Sequence, residues 1–68
     1  MMNEDVVNME IRKFLKKVGI TSQREIEKAL QEAEAAGRLD NGTLKASMKL
    51  EISDLGLEHV VEGEIAVE

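Results

Sequence analysis

The first part of the chain repeats its apolar side chains with the period of an α-helix. At about 100° per residue, these side chains share a narrow arc, and they are Val7, Ile11, Phe14 and Val18, with Leu15 beside them. Asn3 is suited to cap the N-terminus, and Gly19 is suited to the left-handed position that ends many helices. The pattern predicts a first helix over residues 4–18.

A second helical stretch follows a local start signal at Ser22 and Glu25. These two residues have the spacing of a capping box, in which the hydroxyl and the carboxylate each accept an exposed backbone N–H. The apolar face that follows is made of Ile26, Ala29, Leu30 and Ala33. Gly37 is suited to end this stretch, so the predicted second helix covers residues 23–36.

The C-terminal part changes to strict alternation of apolar and polar residues, which is the pattern of a β-strand. Two alternating runs, at 43–52 and 57–67, are separated by four residues. This spacing predicts an antiparallel hairpin that pairs Ile52 with Leu57 and keeps both apolar faces on one side. A further turn at Glu62–Gly63 is the alternative, and it would give a third short strand.

Together these elements predict one α+β domain over residues 1–68. The expected architecture is a two-helix hairpin packed on one face of an antiparallel β-hairpin, in the order α-α-β-β, with a third short strand as the alternative. The core is expected to contain Val7, Ile11, Phe14, Leu15, Val18, Ile26, Leu30, Leu44, Met48, Leu50, Ile52, Leu57, Val61 and Ile65.

Charge is distributed unevenly along the 68 residues. The chain has 9 basic and 14 acidic side chains, a net charge of −5, and its first 39 residues are balanced at seven of each. The whole excess therefore lies in the predicted β part, where Glu51 would oppose Glu58 and Lys45 would oppose Glu64 across the hairpin. An acidic sheet argues against general polyanion binding, which needs net positive charge.

The side chains offer little for catalysis. The chain has no Cys and one His, which excludes the usual nucleophile–base pairs and thiolate metal sites. His59 falls on the apolar strand face, where a partly buried side chain is expected, and the five glycines form no phosphate-binding motif. We therefore predict a protein that is not an enzyme, with no catalytic or metal-binding residue and no cofactor.

The segment FLKKVGITSQREIEKAL has the pattern of a helix-turn-helix motif. The hairpin after it would then correspond to the wing of a winged-helix domain. In this second hypothesis, a winged-helix-like domain binds nucleic acid through the basic face of the first helix and the start of the second. The candidate contacts, for nucleic acid or for an acidic protein partner, are Arg12, Lys13, Lys16, Lys17, Arg24 and Lys28. The predicted recognition helix has a net charge of −2, which disfavours this hypothesis.

The favoured hypothesis is a small non-enzymatic protein-interaction module in the cytoplasm. No apolar run is long enough to span a membrane, and the absence of Cys is consistent with a reducing compartment. A two-stranded sheet leaves both edges open, and so small a core gains stability by association. The expected partner is an unidentified protein or a second copy, which would pair through a strand edge or through Val60.

A resemblance to known sequences covers nearly the entire chain. It rests on the strings NMEIRKFLKKVGITSQREIEKAL and LEHVVEGEIAVE, which look like a family of short, uncharacterised bacterial proteins. Members of that family are similar in length and carry these motifs in the same order. The resemblance implies a complete stand-alone protein, and it supplies no catalytic or binding residues.

Overall fold

The computed structural model describes residues 2–39 and 42–68 of the chain. It contains one long helix followed by a two-stranded antiparallel sheet. In chain order, the elements are helix α1 (Glu4–Ala35), strand β1 (Thr43–Ile52), a short 3-10 turn (Ser53–Leu55) and strand β2 (Leu57–Ala66).

The helical part differs most from the prediction. The stretches predicted as separate helices, 4–18 and 23–36, are parts of one helix, so the order is α-β-β. The two-helix hairpin and the α-α-β-β order are therefore wrong. A continuous helix of 32 residues is about 48 Å long, and it gives the chain its elongated shape, with extents of 54 × 20 × 18 Å.

The start of α1 is fixed by Asn3, as predicted. The side-chain oxygen of Asn3 accepts hydrogen bonds from the backbone N–H of Asp5 at 3.1 Å and of Val6 at 3.2 Å. These two N–H groups have no partner within the helix, so the cap replaces bonds that the helix itself cannot supply. Glu4 and Asp5 add negative charge beside the positive end of the helix dipole.

α1 continues through residues 19–22 because nothing there prevents helical hydrogen bonding. The segment has no Pro, and a Gly inside a helix costs about 1 kcal/mol relative to Ala. The Thr21 hydroxyl could compete with the helix, but it donates to the Lys17 carbonyl at 2.8 Å within the helix. The predicted capping box is wrong, since Ser22 and Glu25 lie inside α1 and the Glu25 N–H belongs to the helical ladder.

α1 ends at Ala35, one residue before the predicted end, and Gly37 follows the C-cap residue as the predicted terminating glycine. Gly37 has a φ of +69°, a left-handed conformation that favours glycine. The N–H of Arg38 donates to the carbonyl of Ala33 at 2.8 Å, and the N–H of Gly37 donates to the carbonyl of Glu34 at 3.1 Å. This pair of bonds is the Schellman motif, which satisfies carbonyls that the terminating helix leaves free.

The hairpin has the predicted register. Ile52 pairs with Leu57 at the closed end, and Lys45 pairs with Glu64 further along. The chain reverses over the 3-10 turn and Gly56. Gly56 has a φ of +62°, which is again the left-handed conformation that favours glycine. The apolar faces of both strands therefore lie on one side of the sheet, as alternation requires.

Strand β2 is one residue shorter than predicted, and it ends at Ala66. It passes through Glu62 and Gly63 without a turn and stays paired with β1 along its whole length. The alternative with three short strands is therefore wrong for the described residues.

The opposed carboxylates at Glu51 and Glu58 share one cation. The register places these two residues opposite each other, which is unfavourable for two negative charges. The Lys49 Nζ lies 3.8 Å from a carboxylate oxygen of Glu51 and 3.8 Å from one of Glu58. One exposed lysine thus offsets the repulsion at the closed end of the hairpin.

The predicted hydrophobic core does not form within one chain. No side chain in the described residues is buried, and several predicted core residues are half exposed or more, such as Phe14 at 51% and Val61 at 54%. The radius of gyration is 16.2 Å, against about 11 Å for a compact chain of this length. The helix and the sheet form as elements, but they leave their apolar faces uncovered.

Candidate functional site

An open groove lies between the C-terminal half of α1 and the hairpin, and its volume is about 880 Å³. Its helix wall is formed by Thr21, Ser22, Glu25, Ile26, Ala29, Leu30 and Ala33. Its sheet wall is formed by Leu44, Lys45, Ala46, Ser47, Met48, Val61, Glu62, Gly63 and Ile65, with Arg38 and Leu39 between the walls. We refer to this space as the apolar groove.

Both walls of the apolar groove are made of small residues flanked by larger ones. Ala46 and Gly63 pair across the hairpin and leave the centre of the sheet wall low. The larger side chains on the two walls remain accessible, with Ile26 of the helix wall at 40% exposure and Met48 of the sheet wall at 44%. The helix and the sheet therefore do not pack against each other, and this chain leaves the groove between them unfilled.

The apolar residues in the N-terminal half of α1 are large, and none of them is buried. We call these residues the apolar stripe: Val7, Ile11, Phe14, Leu15 and Val18. Ile11, Phe14 and Leu15 are 49–52% exposed. The stripe consists of bulky side chains, whereas the helix wall of the groove combines larger residues with small ones such as Ala29 and Ala33.

The predicted basic contacts lie along one helix rather than around a turn. All six are exposed, and they are Arg12, Lys13, Lys16, Lys17, Arg24 and Lys28. They lie outside the apolar stripe over about 24 Å of α1, and Lys13 pairs with Glu10 at 3.7 Å. The helix-turn-helix hypothesis is wrong, because a recognition helix needs a turn before it and α1 has none.

The remaining candidates for chemistry in the described residues are the acidic side chains and His59. No three His, Asp or Glu side chains within 2–39 and 42–68 are arranged to hold a metal ion. His59 is exposed, so the partly buried side chain expected there is wrong. In the same part of the chain, no helix is both long and apolar enough to cross a membrane.

A family model of unknown function, DUF6494, matches residues 2–68. The chain belongs to this family. The match agrees with the resemblance to a family of unknown function, and it assigns no activity, partner or site to this DUF6494 member. No curated protein and no solved structure matches the chain.

Sequence reasoning missed the apolar groove of this DUF6494 member, because it expected a second helix to fold back and fill the space. One signal in the sequence does indicate a continuous helix. Apolar or small residues recur at an 11-residue interval, as in Val7, Val18 and Ala29, and this interval crosses Gly19 without a change of phase. An interval of this length keeps residues on nearly the same helix face, so the stripe and the helix wall belong to one seam.

Proposed function

We propose that the chain is a non-enzymatic protein-interaction module that binds a polypeptide in the apolar groove. The observation that carries this proposal is the apolar surface left uncovered. The described chain buries no side chain and exposes 6441 Å², whereas a compact protein of its mass exposes about 4,300 Å². Surface of this kind is unfavourable in water, so it calls for a partner that covers it.

The form of the groove favours a helical polypeptide as the occupant. Its helix wall runs from Thr21 to Ala33, which is about 18 Å along the axis. An amphipathic helix can lay its apolar face into a groove of this kind. Nucleic acid fits less well, because residues 40–68, which include the sheet beside the groove, carry the entire negative excess of the chain.

Site-specific photo-crosslinking in living cells tests the proposal. A photoreactive residue is placed at Ala29, inside the groove, and at Glu27 as the control, an exposed position of α1 that does not line the groove. We expect a defined polypeptide adduct from position 29 and little from position 27. Equal labelling at both positions, adducts with nucleic acid alone, or no adduct at all would contradict a protein-binding groove.

A cytoplasmic location is part of this proposal. The sequence has no Cys, so the fold does not depend on the oxidising compartments in which disulfides form. The location of the full-length protein fused to a fluorescent tag, followed by cell fractionation, checks this assignment.

A further inference from the structure

We infer that the polypeptide in the apolar groove is a second copy of this chain, with the two α1 helices antiparallel and the apolar stripe of each seated in the groove of the other. This inference rests on the proposed function, and it adds the identity and the orientation of the partner. Three observations support it: the area left exposed, the spacing of the seam residues, and the match in their sizes.

The exposed area is the amount that a stable dimer buries. Each chain exposes about 2,100 Å² more than a compact protein of its mass. If two copies cover this excess on each other, the interface totals about 4,200 Å², which lies in the range of obligate homodimers. A contact restricted to a strand edge or to Val60 would cover only a small part of it.

The seam residues of α1 are arranged symmetrically about Ile20. Val7 and Ala33 lie equally far from Ile20 along the chain, as do Ile11 and Ala29. The inner pairs Phe14 with Ile26, and Val18 with Ser22, obey the same relation. When two such helices run antiparallel and cross at Ile20, each residue of these four pairs therefore meets its counterpart in the second copy. The same register places Leu15 opposite Glu25 and Leu30 opposite Glu10.

The sizes of the paired residues are complementary. Val7 and Ile11 would each lie against an alanine of the second copy, while Val18 would lie against Ser22. Phe14, the single aromatic side chain, would enter beside Ile26 and the low sheet wall. Large residues facing small ones give the interdigitation that a close-packed interior needs, and a parallel pair would instead place large against large.

A single two-fold axis allows the stripe of each copy to fill the groove of the other. The helix wall of the groove covers residues 21–33, and the antiparallel register places residues 7–19 of the second copy against it. Those residues carry the apolar stripe, so each chain both offers and fills a groove. This reciprocity is what an isologous dimer interface requires.

The first test measures the mass of the whole chain by sedimentation equilibrium over a wide concentration range. We expect twice the 7.6 kDa of one chain. Ala29→Glu in the groove and Phe14→Glu in the stripe should each weaken self-association by about 100-fold or more, since a carboxylate would be buried without a partner. Ala35→Glu adds the same charge at an exposed position of α1 outside the groove and should leave the mass unchanged.

The second test uses cysteine pairs and does not depend on a destabilised variant. The chain has no Cys, so any disulfide that forms must join two introduced residues and reports that these two residues meet. Mild oxidation of an equal mixture of Val18→Cys and Ser22→Cys chains should give the mixed disulfide dimer. Val18→Cys alone should stay reduced, because the antiparallel register separates the two copies of residue 18 by about 6 Å along the axis.

The possible results separate this inference from the proposed function. A monomeric wild-type chain whose groove crosslinks to a different protein would overturn the second copy as partner and leave the interaction module standing. A dimer that tolerates Ala29→Glu, or a rapid Val18→Cys homodimer with no mixed product, would overturn the antiparallel arrangement. A monomer whose groove crosslinks to nothing would contradict both the antiparallel dimer and the protein-interaction module.

Discussion

Two glycine-containing segments of this chain carry similar helix-ending signals and have opposite structures. At 19–22 and at 37–39, a glycine comes after an apolar helical stretch, and an apolar residue comes soon after the glycine. At Gly37 the helix ends in a Schellman motif, with the glycine in the left-handed region. At Gly19 the helix continues without interruption.

The difference lies in the residues on the C-terminal side of each glycine. Beyond Gly19, the residues Ser22, Ile26 and Ala29 keep the apolar seam in phase with Val18, so a continuous helix holds one face together over its whole length. Beyond Gly37 the period changes to that of a strand, and continuing the helix would scatter the apolar residues of β1 around it. A glycine therefore ends a helix where the pattern after it no longer fits the helix, and three substitutions test this explanation.

The largest effect is expected for Gln23→Pro. In a continuous helix, proline removes the bond from the residue 23 N–H to the Gly19 carbonyl and clashes with that carbonyl, at a cost of about 3 kcal/mol. If a second helix began after Ser22, position 23 would be its first residue, where proline is well tolerated. Urea unfolding followed by far-UV circular dichroism, at fixed protein concentration, measures the free energy of unfolding. Gln23→Ala is the matched control, and an unchanged midpoint for Gln23→Pro would show that the helix is broken there.

A smaller loss is expected for Gly37→Ala. The φ of Gly37 is +69°, and an added Cβ meets nothing within 4 Å, so the cost is conformational strain alone. A non-glycine residue in the left-handed region costs about 1–2 kcal/mol. The same unfolding measurement should show this loss, and Gly37→Asn should lose less, because asparagine tolerates the conformation better. A gain in stability for Gly37→Ala would contradict the assigned helix end.

The smallest effect, with the opposite sign, is expected for Gly19→Ala. An added Cβ meets nothing within 4 Å here as well, but Gly19 has no positive φ. Replacing a glycine inside a helix by alanine should therefore stabilise the chain by about 1 kcal/mol. Thermal unfolding at matched concentration compares the variant with the wild type. A loss would mean that Gly19 does adopt the left-handed conformation of a helix end.

Features set by nearby residues were predictable from the sequence. The Asn3 cap, the end at Gly37, the extent of β1 and the pairing of Ile52 with Leu57 all depend on residues close in the chain. The predicted division into two helices at Gly19 was wrong. Ser22 and Glu25 have the spacing of a helix start whether or not a helix starts there. That spacing reports what the residues can do locally, and it does not report the competing bonds of a continuous helix.

The candidate site could be predicted only in its parts. The apolar stripe and the inner sheet face were both identified from their periods, and both were assigned to a core within one chain. Periodicity shows which residues need to be covered, but it does not show by which molecule they are covered. The six basic residues were placed correctly on helical positions, while their expected arrangement around a turn depended on the break at Gly19.

The short range of the contacts within each element has a consequence for how the protein assembles. The bonds of α1 join residues a few positions apart, and the hairpin closes over a four-residue loop. Elements of this kind form within about 1–10 μs, so neither of them limits the rate of folding. In a dimer built as proposed, the slow step is the collision of two molecules. Refolding would then show second-order kinetics, and a tenfold dilution would lengthen its initial half-time about tenfold.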